Sequence, residues 1–114
     1  MESPRHLKAK DFMVDISYVS PETTVLDTID AMLEKTLNGI LVVEDGGFKG
    51  LVTDYELIKC LKEGKLKSLH GRISDIMYEE VSCVLPEDNL KYVVNTMFDE
   101  SIRFLPVVSD GKPF

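Results

Sequence analysis

The chain has 114 residues, enough for one domain or two packed half-domains that bury about two-thirds of the unfolded surface. Its 13 Lys+Arg against 20 Asp+Glu leave a formal charge of −7, which argues against nucleic acid and anionic membrane as partners, both being polyanions. The 44% of hydrophobic and 29% of charged residues suit an ordinary soluble globular chain.

Met1 to Asp11 has no apolar core of the kind a secretory signal needs, and the longest aliphatic run, Ile40 to Val43, is far short of a bilayer span. Cys60 and Cys83 are isolated from each other and from any histidine at ligand spacing. Both are read as small buried apolar residues rather than a disulfide or zinc site. The location these features predict is cytoplasmic. His6 and His70 fall in a tail and a linker, where a solvated imidazole is expected rather than a catalytic base.

In chain order, Ile16, Tyr18 and Val19 predict a short strand closed by Ser20-Pro21. Thr24 with Asp27 three residues on resembles a capping box and places a helix start there. Val25, Ile29, Met32 and Leu33 then share one apolar helical face, with Asp27, Asp30 and Glu34 off it. Gly39 to Val43 reads as a covered apolar strand. Asp45-Gly46-Gly47 predicts a hairpin turn, with Phe48 to Thr53 returning as a strand. A second helix runs from Asp54 through Leu61, with Leu57, Ile58 and Leu61 apolar, and Gly64 ends it. This β-α-β-β-α unit occupies residues 10–64, and residues 65–73 form a linker.

Beyond the linker the same unit begins again. From Ser17 to Gly46 the sequence matches Ser82 to Gly111 at a constant shift of 65 residues, with identities that include Pro21/Pro86, Glu22/Glu87, Met32/Met97, Val43/Val108 and Gly46/Gly111. Asp11-Phe12-Met13 matches Asp75-Ile76-Met77 at a shift of 64. One offset held through strand, helix and strand identifies a duplicated unit. Asn89 is the second copy's predicted cap; Leu90, Val94, Met97 and Phe98 its apolar helical face; Phe104 to Val108 its second strand. Phe114 aligns with Lys49, so counterparts of Gly50 to Leu61 are absent from the second copy, 74–114. That predicts an unpaired strand edge and an uncovered helix face, which favour association with another chain.

The ordered series D-F-M, x-V-x-P-E-x-T, amphipathic helix, h-x-V-V-x-D-G and Gly50-Leu51-Val52-Thr53-Asp54-Tyr55-Glu56-Leu57 resembles a CBS domain, and its repetition resembles a tandem CBS pair, or Bateman module. The resemblance implies a mixed α/β fold of two repeats packed as a pseudo-two-fold pair. It implies a regulatory module with no catalytic activity of its own and no required cofactor, which governs an attached or associated protein; the unpaired edge and face of the second copy point to a homodimer. It also implies an adenosyl ligand such as AMP, ATP or S-adenosylmethionine in a cleft between repeats. By position in the family pattern, Thr53 and the amides opening the helix at Asp54 would bind phosphate, and Glu56 would stand where the family has an aspartate for the ribose hydroxyls. Ser17, Val19, Ile40 and Leu41 would line the adenine slot, as Ser82, Val84, Leu105 and Pro106 would in copy two. Arg103 would face phosphate. Free helix-end N–H groups are the expected donors.

Plainer readings stand beside these. Thr53 and Glu56 also make sense as a helix cap and a first-turn acid. The Glu56 substitution and the absent elements of copy two favour a ligand-free dimerisation module. No nucleophile elbow, zinc-protease helix, P-loop or dinucleotide fingerprint is present in the sequence.

Overall fold

The computed structural model describes residues 7–14, 16–66 and 68–114; the reading of Met1 to Asp11 as leaderless, and of His6 as solvated, falls partly or wholly outside them. The chain divides into two compact units, Ile16–Glu80 and the described part of Met1–Asp15 together with Val81–Phe114. These units cut across the order of the repeats. The Asp11-Phe12-Met13 segment, which opens the first copy in sequence, belongs to the unit that holds the second. Its counterpart Asp75-Ile76-Met77 belongs to the unit that holds the first.

In Ile16–Glu80, β1 (Tyr18–Val19) leads to α2 (Val25–Glu34), β2 (Gly39–Glu44), β3 (Gly47–Thr53) and α3 (Asp54–Lys62); α1 (Ala9–Phe12) lies in the other unit. The sheet has the order β1-β2-β3, parallel between β1 and β2 and antiparallel between β2 and β3. The expected caps form: the Thr24 hydroxyl accepts from the Asp27 N–H at 3.0 Å. At the hairpin Asp45 and Gly46 both take positive φ, 52° and 79°, the backbone of a twisted two-residue turn in which glycine carries no steric cost.

Val25, Met32, Ile40, Val42, Val52 and Ile73 form the core of this unit. Ile73 enters through a short 3-10 turn, Ile73–Asp75, reached by way of residues 65–71. Leu69 and Gly71 are tied down: Leu69 O and Gly71 O accept from the N–H groups of Leu26 and Val25 at 2.8 and 2.9 Å, occupying amides that open α2. The apolar helical faces are narrower than the sequence predicts. Leu33 is 73% exposed and Ile58 and Leu61 are also exposed, because the sheet covers only the part of each stripe that carries Val25, Met32 and Leu57.

The other unit repeats these contacts with less around them. α4 (Leu90–Asp99) is capped by Asn89, whose side chain accepts from the Lys91 N–H. β4 (Val108–Ser109) and β5 (Lys112–Pro113) form a hairpin around Asp110 and Gly111, again with φ of 52° and 76°. The strand expected over Phe104 to Val108 is reduced to Val108, with Val84 bridging Val107 alone. The face of α4 is open, Val94 at 54% and Phe98 at 84% exposed, where a buried stripe is expected from the sequence. Both corrections have one cause: among the described residues of this unit no further strand extends the ladder and no second helix covers α4. Cys60 is buried as expected, but Cys83 is exposed, in a stretch outside the helices and strands.

The duplicated contacts include a duplicated ion pair. Lys8 and Lys10 hold Glu87 at 2.5 and 2.6 Å, and Arg72 faces the equivalent Glu22 at 3.6 Å. Hydrogen bonds from Lys10 and then Lys8 lower the Glu87 carboxyl from 4.5 to about 2. A depressed carboxyl contributes stability that is present above its unfolded value and lost as the pH falls through the folded one. The contribution of this surface cluster should therefore hold above about pH 4.5 and fade toward pH 2. In an NMR titration Glu87 is expected to titrate near 2, and Lys10→Gln to move it upward; an unshifted Glu87 would mean that the ion pairs do not persist in solution.

Candidate functional site

β2 and β3 bring most of the predicted site residues together in Ile16–Glu80. Thr53 ends β3, pairs across the ladder with Gly39, and is the N-cap of α3 at only 9% exposure. Ile40 and Leu41 come directly after Gly39 on β2, and Tyr18-Val19 lies beside Leu41-Val42, with the Leu41 N–H donating to Ser17 O at 3.2 Å. Val19, Ile40, Leu41 and Thr53 thus lie in one sheet, with Ser17 just before β1 and Asp54 and Glu56 in the first turn of α3. Arg103 belongs to the other unit, as do Ser82, Val84, Leu105 and Pro106.

Two donors at the helix start, the N–H groups of Thr53 and Asp54, already have partners, where the sequence leads one to expect them free. The Glu56 carboxylate turns back and accepts both from the Thr53 N–H at 2.9 Å and from the Thr53 hydroxyl at 2.5 Å. The Asp54 N–H donates to Asn38 O at 3.1 Å. Thr53 and Glu56 make a capping box, in which the first orphan amides of the helix are met reciprocally. Any acceptor approaching Thr53 must displace a charge-assisted hydrogen bond, the stronger class of such bonds. Ile40 lies wholly in the core, so only its backbone is available to a ligand; the Leu41 side chain is buried as well.

Lys35 is a residue that no sequence motif singles out. At the end of α2 its Nζ donates to Ser17 Oγ at 2.9 Å, putting a cation against a candidate residue. Its counterpart is Glu100, which accepts from Ser82 Oγ at 2.6 Å. The two copies therefore place opposite charges at matching positions. The 65-residue shift alone pairs Lys35 with Glu100, so the signal was legible, but only the fold shows that each reaches its serine.

Among the described residues no group of three or more His, Cys, Asp or Glu side chains is arranged to hold a metal ion, and no helix is long and apolar enough to cross a membrane.

Comparison with known proteins accounts for this arrangement. The CBS domain model matches residues 9–63 and 73–113. Meiotically up-regulated gene 70 protein of Schizosaccharomyces pombe is 32% identical over 97 residues, 83% of this chain and 13% of that protein. A mitochondrial CBS domain-containing protein of Arabidopsis thaliana, CBSX3, is 28% identical over 112 residues, 91% of this chain and 54% of that one. A zinc metalloprotease of Methanocaldococcus jannaschii is 30% identical over 110 residues, 95% of this chain but only 29% of the protease. The chain thus spans from about an eighth to about half of these relatives. Among solved structures, that of CBSX2 in complex with AMP superposes with a TM-score of 0.83 at 29% identity, covering 94% of this chain and 86% of that one. With both matched segments in hand, the chain belongs to the CBS-domain family, as a pair of CBS repeats in tandem.

Proposed function

We propose that this CBS pair is a regulatory, non-catalytic sensor of an adenosyl ligand, with AMP as the first candidate, that controls an attached or associated protein. The observation that carries the reading is the likeness to a CBS pair solved with AMP, together with Thr53 standing at the β3–α3 junction. In the bound state Thr53 donates to phosphate, aided by the positive end of α3. Glu56 leaves Thr53 and accepts from the ribose hydroxyls. The backbone edges at Ser17, Val19, Ile40 and Leu41 frame the base, and Lys35 adds the cation that an anionic ligand needs on a chain of charge −7. Arg103 is the phosphate-facing candidate of the second copy. Regulation then requires that the ligand prefer one arrangement of the protein over another, since equal affinity shifts nothing.

Calorimetric titration with AMP, ATP and S-adenosylmethionine tests this. Losing a hydrogen bond to a charged group costs about 1.5–3 kcal/mol, so Thr53→Ala should weaken binding by roughly 10- to 150-fold. Glu56→Gln separates the two roles of that carboxylate: a ribose contact predicts weaker binding, and a cap alone predicts binding unchanged or tighter. The absence of heat with all three ligands overturns the reading.

A second reading, a ligand-free dimerisation module, is favoured by one observation: Thr53 and Glu56 satisfy each other. Tyr55, Ile58 and Leu61 expose apolar surface along α3, which a second copy would cover. Sedimentation with and without AMP distinguishes the readings, because this module is dimeric at equal strength in both.

A further inference from the structure

We propose that Lys35 and Glu100 fix opposite hydrogen-bonding polarity on Ser17 and Ser82. The first copy then reads an acceptor on the ligand's base, and the second reads a donor, the 6-amino group of adenine. The assignment rests on the adenosyl ligand proposed above and gives the two copies different chemistry. The 65-residue shift pairs Ser17 with Ser82 and Lys35 with Glu100. Lys35 Nζ donates to Ser17 Oγ at 2.9 Å, and Ser82 Oγ donates to Glu100 Oε1 at 2.6 Å. Both serines are half-buried and both partners exposed. A serine hydroxyl has one hydrogen and two lone pairs. An ammonium only donates, so Ser17 accepts from Lys35 and keeps its hydrogen for another acceptor. An ionised carboxylate only accepts, so Ser82 commits its hydrogen to Glu100 and offers nothing but lone pairs.

The backbone presents the two charges alike. Lys35 and Glu100 are the C-caps of α2 and α4, with φ and ψ of −100° and 5° in one and −95° and 0° in the other. Their N–H groups donate to Ala31 O at 3.3 Å and to Thr96 O at 3.0 Å. Each is followed by a residue of positive φ, Thr36 at 55° and Ser101 at 54°. The inversion therefore lies in the side chains alone. Helix stability accounts for only half of it. A cation suits the negative end of a helix, where a carboxylate is unfavourable. What Glu100 does gain at that position is the hydroxyl of Ser82. The consequence for a base is specific, because the 6-amino group is the one N–H donor on the adenine ring of a nucleotide, whereas its ring nitrogens are all acceptors.

The test compares AMP with purine riboside 5′-monophosphate, which lacks the 6-amino group but keeps every ring nitrogen and the same charge. An NMR titration of the whole chain reads each copy at its own serine amide. At Ser17 the two ligands should bind within about twofold of each other. At Ser82 AMP should bind about tenfold tighter, the upper value for one neutral hydrogen bond. Lys35→Glu should create that preference at Ser17, and Glu100→Lys should abolish it at Ser82. A change in electrostatic attraction or a loosened fold moves both affinities together and leaves their ratio, so the ratio isolates the role of each charge in positioning its serine. A ratio equal at both serines and unmoved by either substitution overturns the inference and leaves the adenosyl sensor standing. Binding at one serine alone still decides, through that copy's own substitution. No response at either serine to either ligand overturns the sensor itself, and the inference with it.

Discussion

Replacing Ile73 by alanine is expected to destabilise Ile16–Glu80 by about 2–5 kcal/mol, the usual range for truncating a fully buried isoleucine. Ile73 is 0% exposed and packs among Val25, Met32, Ile40, Val42 and Val52. Its backbone is fixed on both sides: its own N–H donates to Thr23 O at 2.7 Å, and its carbonyl accepts from Ile76 and Met77. The surroundings therefore have little freedom to collapse onto the cavity, which argues for the upper part of the range. The neighbouring Arg72→Ala removes an exposed side chain with a 3.6 Å ion pair to Glu22, and should cost less than about 1 kcal/mol. Urea unfolding read by a probe in Ile16–Glu80 checks the pair, since two compact units need not melt together. A cost below about 0.5 kcal/mol for Ile73→Ala would mean that this segment leaves the core in solution.

Ile73 also marks the boundary of what the sequence makes legible. The features that depend on a few consecutive residues are all there to be read: the Thr24 and Asn89 caps, the Asp-Gly turns at 45–46 and 110–111, and the apolar strand from Gly39. The register of the duplication is equally plain. Non-local facts are not. The D-x-M segments each belong to the unit of the other copy, and no property of Asp75-Ile76-Met77 announces that. Helical periodicity puts Leu33 on one apolar face with the buried Val25 and Met32, and Val94 and Phe98 on one with the half-buried Leu90 and Met97, but does not say whether a partner covers them. The site shows a subtler limit. In T-x-x-E, a capping box and a phosphate-and-ribose pair have the same letters at the same spacing. Geometry separates the two roles, and it shows the carboxylate of Glu56 on Thr53.

Gly50→Ala should destabilise the same unit by about 1–3 kcal/mol, the range for overpacking a well-filled site. Gly50 sits in β3 opposite Val42, next to the irregularity in the ladder between Val42 and Val43, and it is not among the residues of positive φ. Alanine is conformationally acceptable there. On backbone entropy alone the substitution would stabilise by about 0.4–1 kcal/mol. Space decides the sign. A Cβ at this position would stand 2.9 Å from Met77 Sδ, 3.1 Å from Met77 Cγ and 3.0 Å from Tyr78 O. The methionine can swing away, because it is unbranched and adaptable. The carbonyl cannot, because Tyr78 is held by hydrogen bonds in both directions to Leu51, the residue after Gly50. Shortening Met77 to alanine alongside Gly50→Ala should therefore recover only part of the loss, a result that a double-mutant cycle reads directly. The strain also reaches the candidate site. Thr53 is three residues along the same strand, so the displaced ladder should weaken the proposed binding of AMP under conditions where the variant is still folded. Full rescue by Met77→Ala would place the whole clash on the side chain and leave the β3 backbone, with Thr53 at its end, where it is.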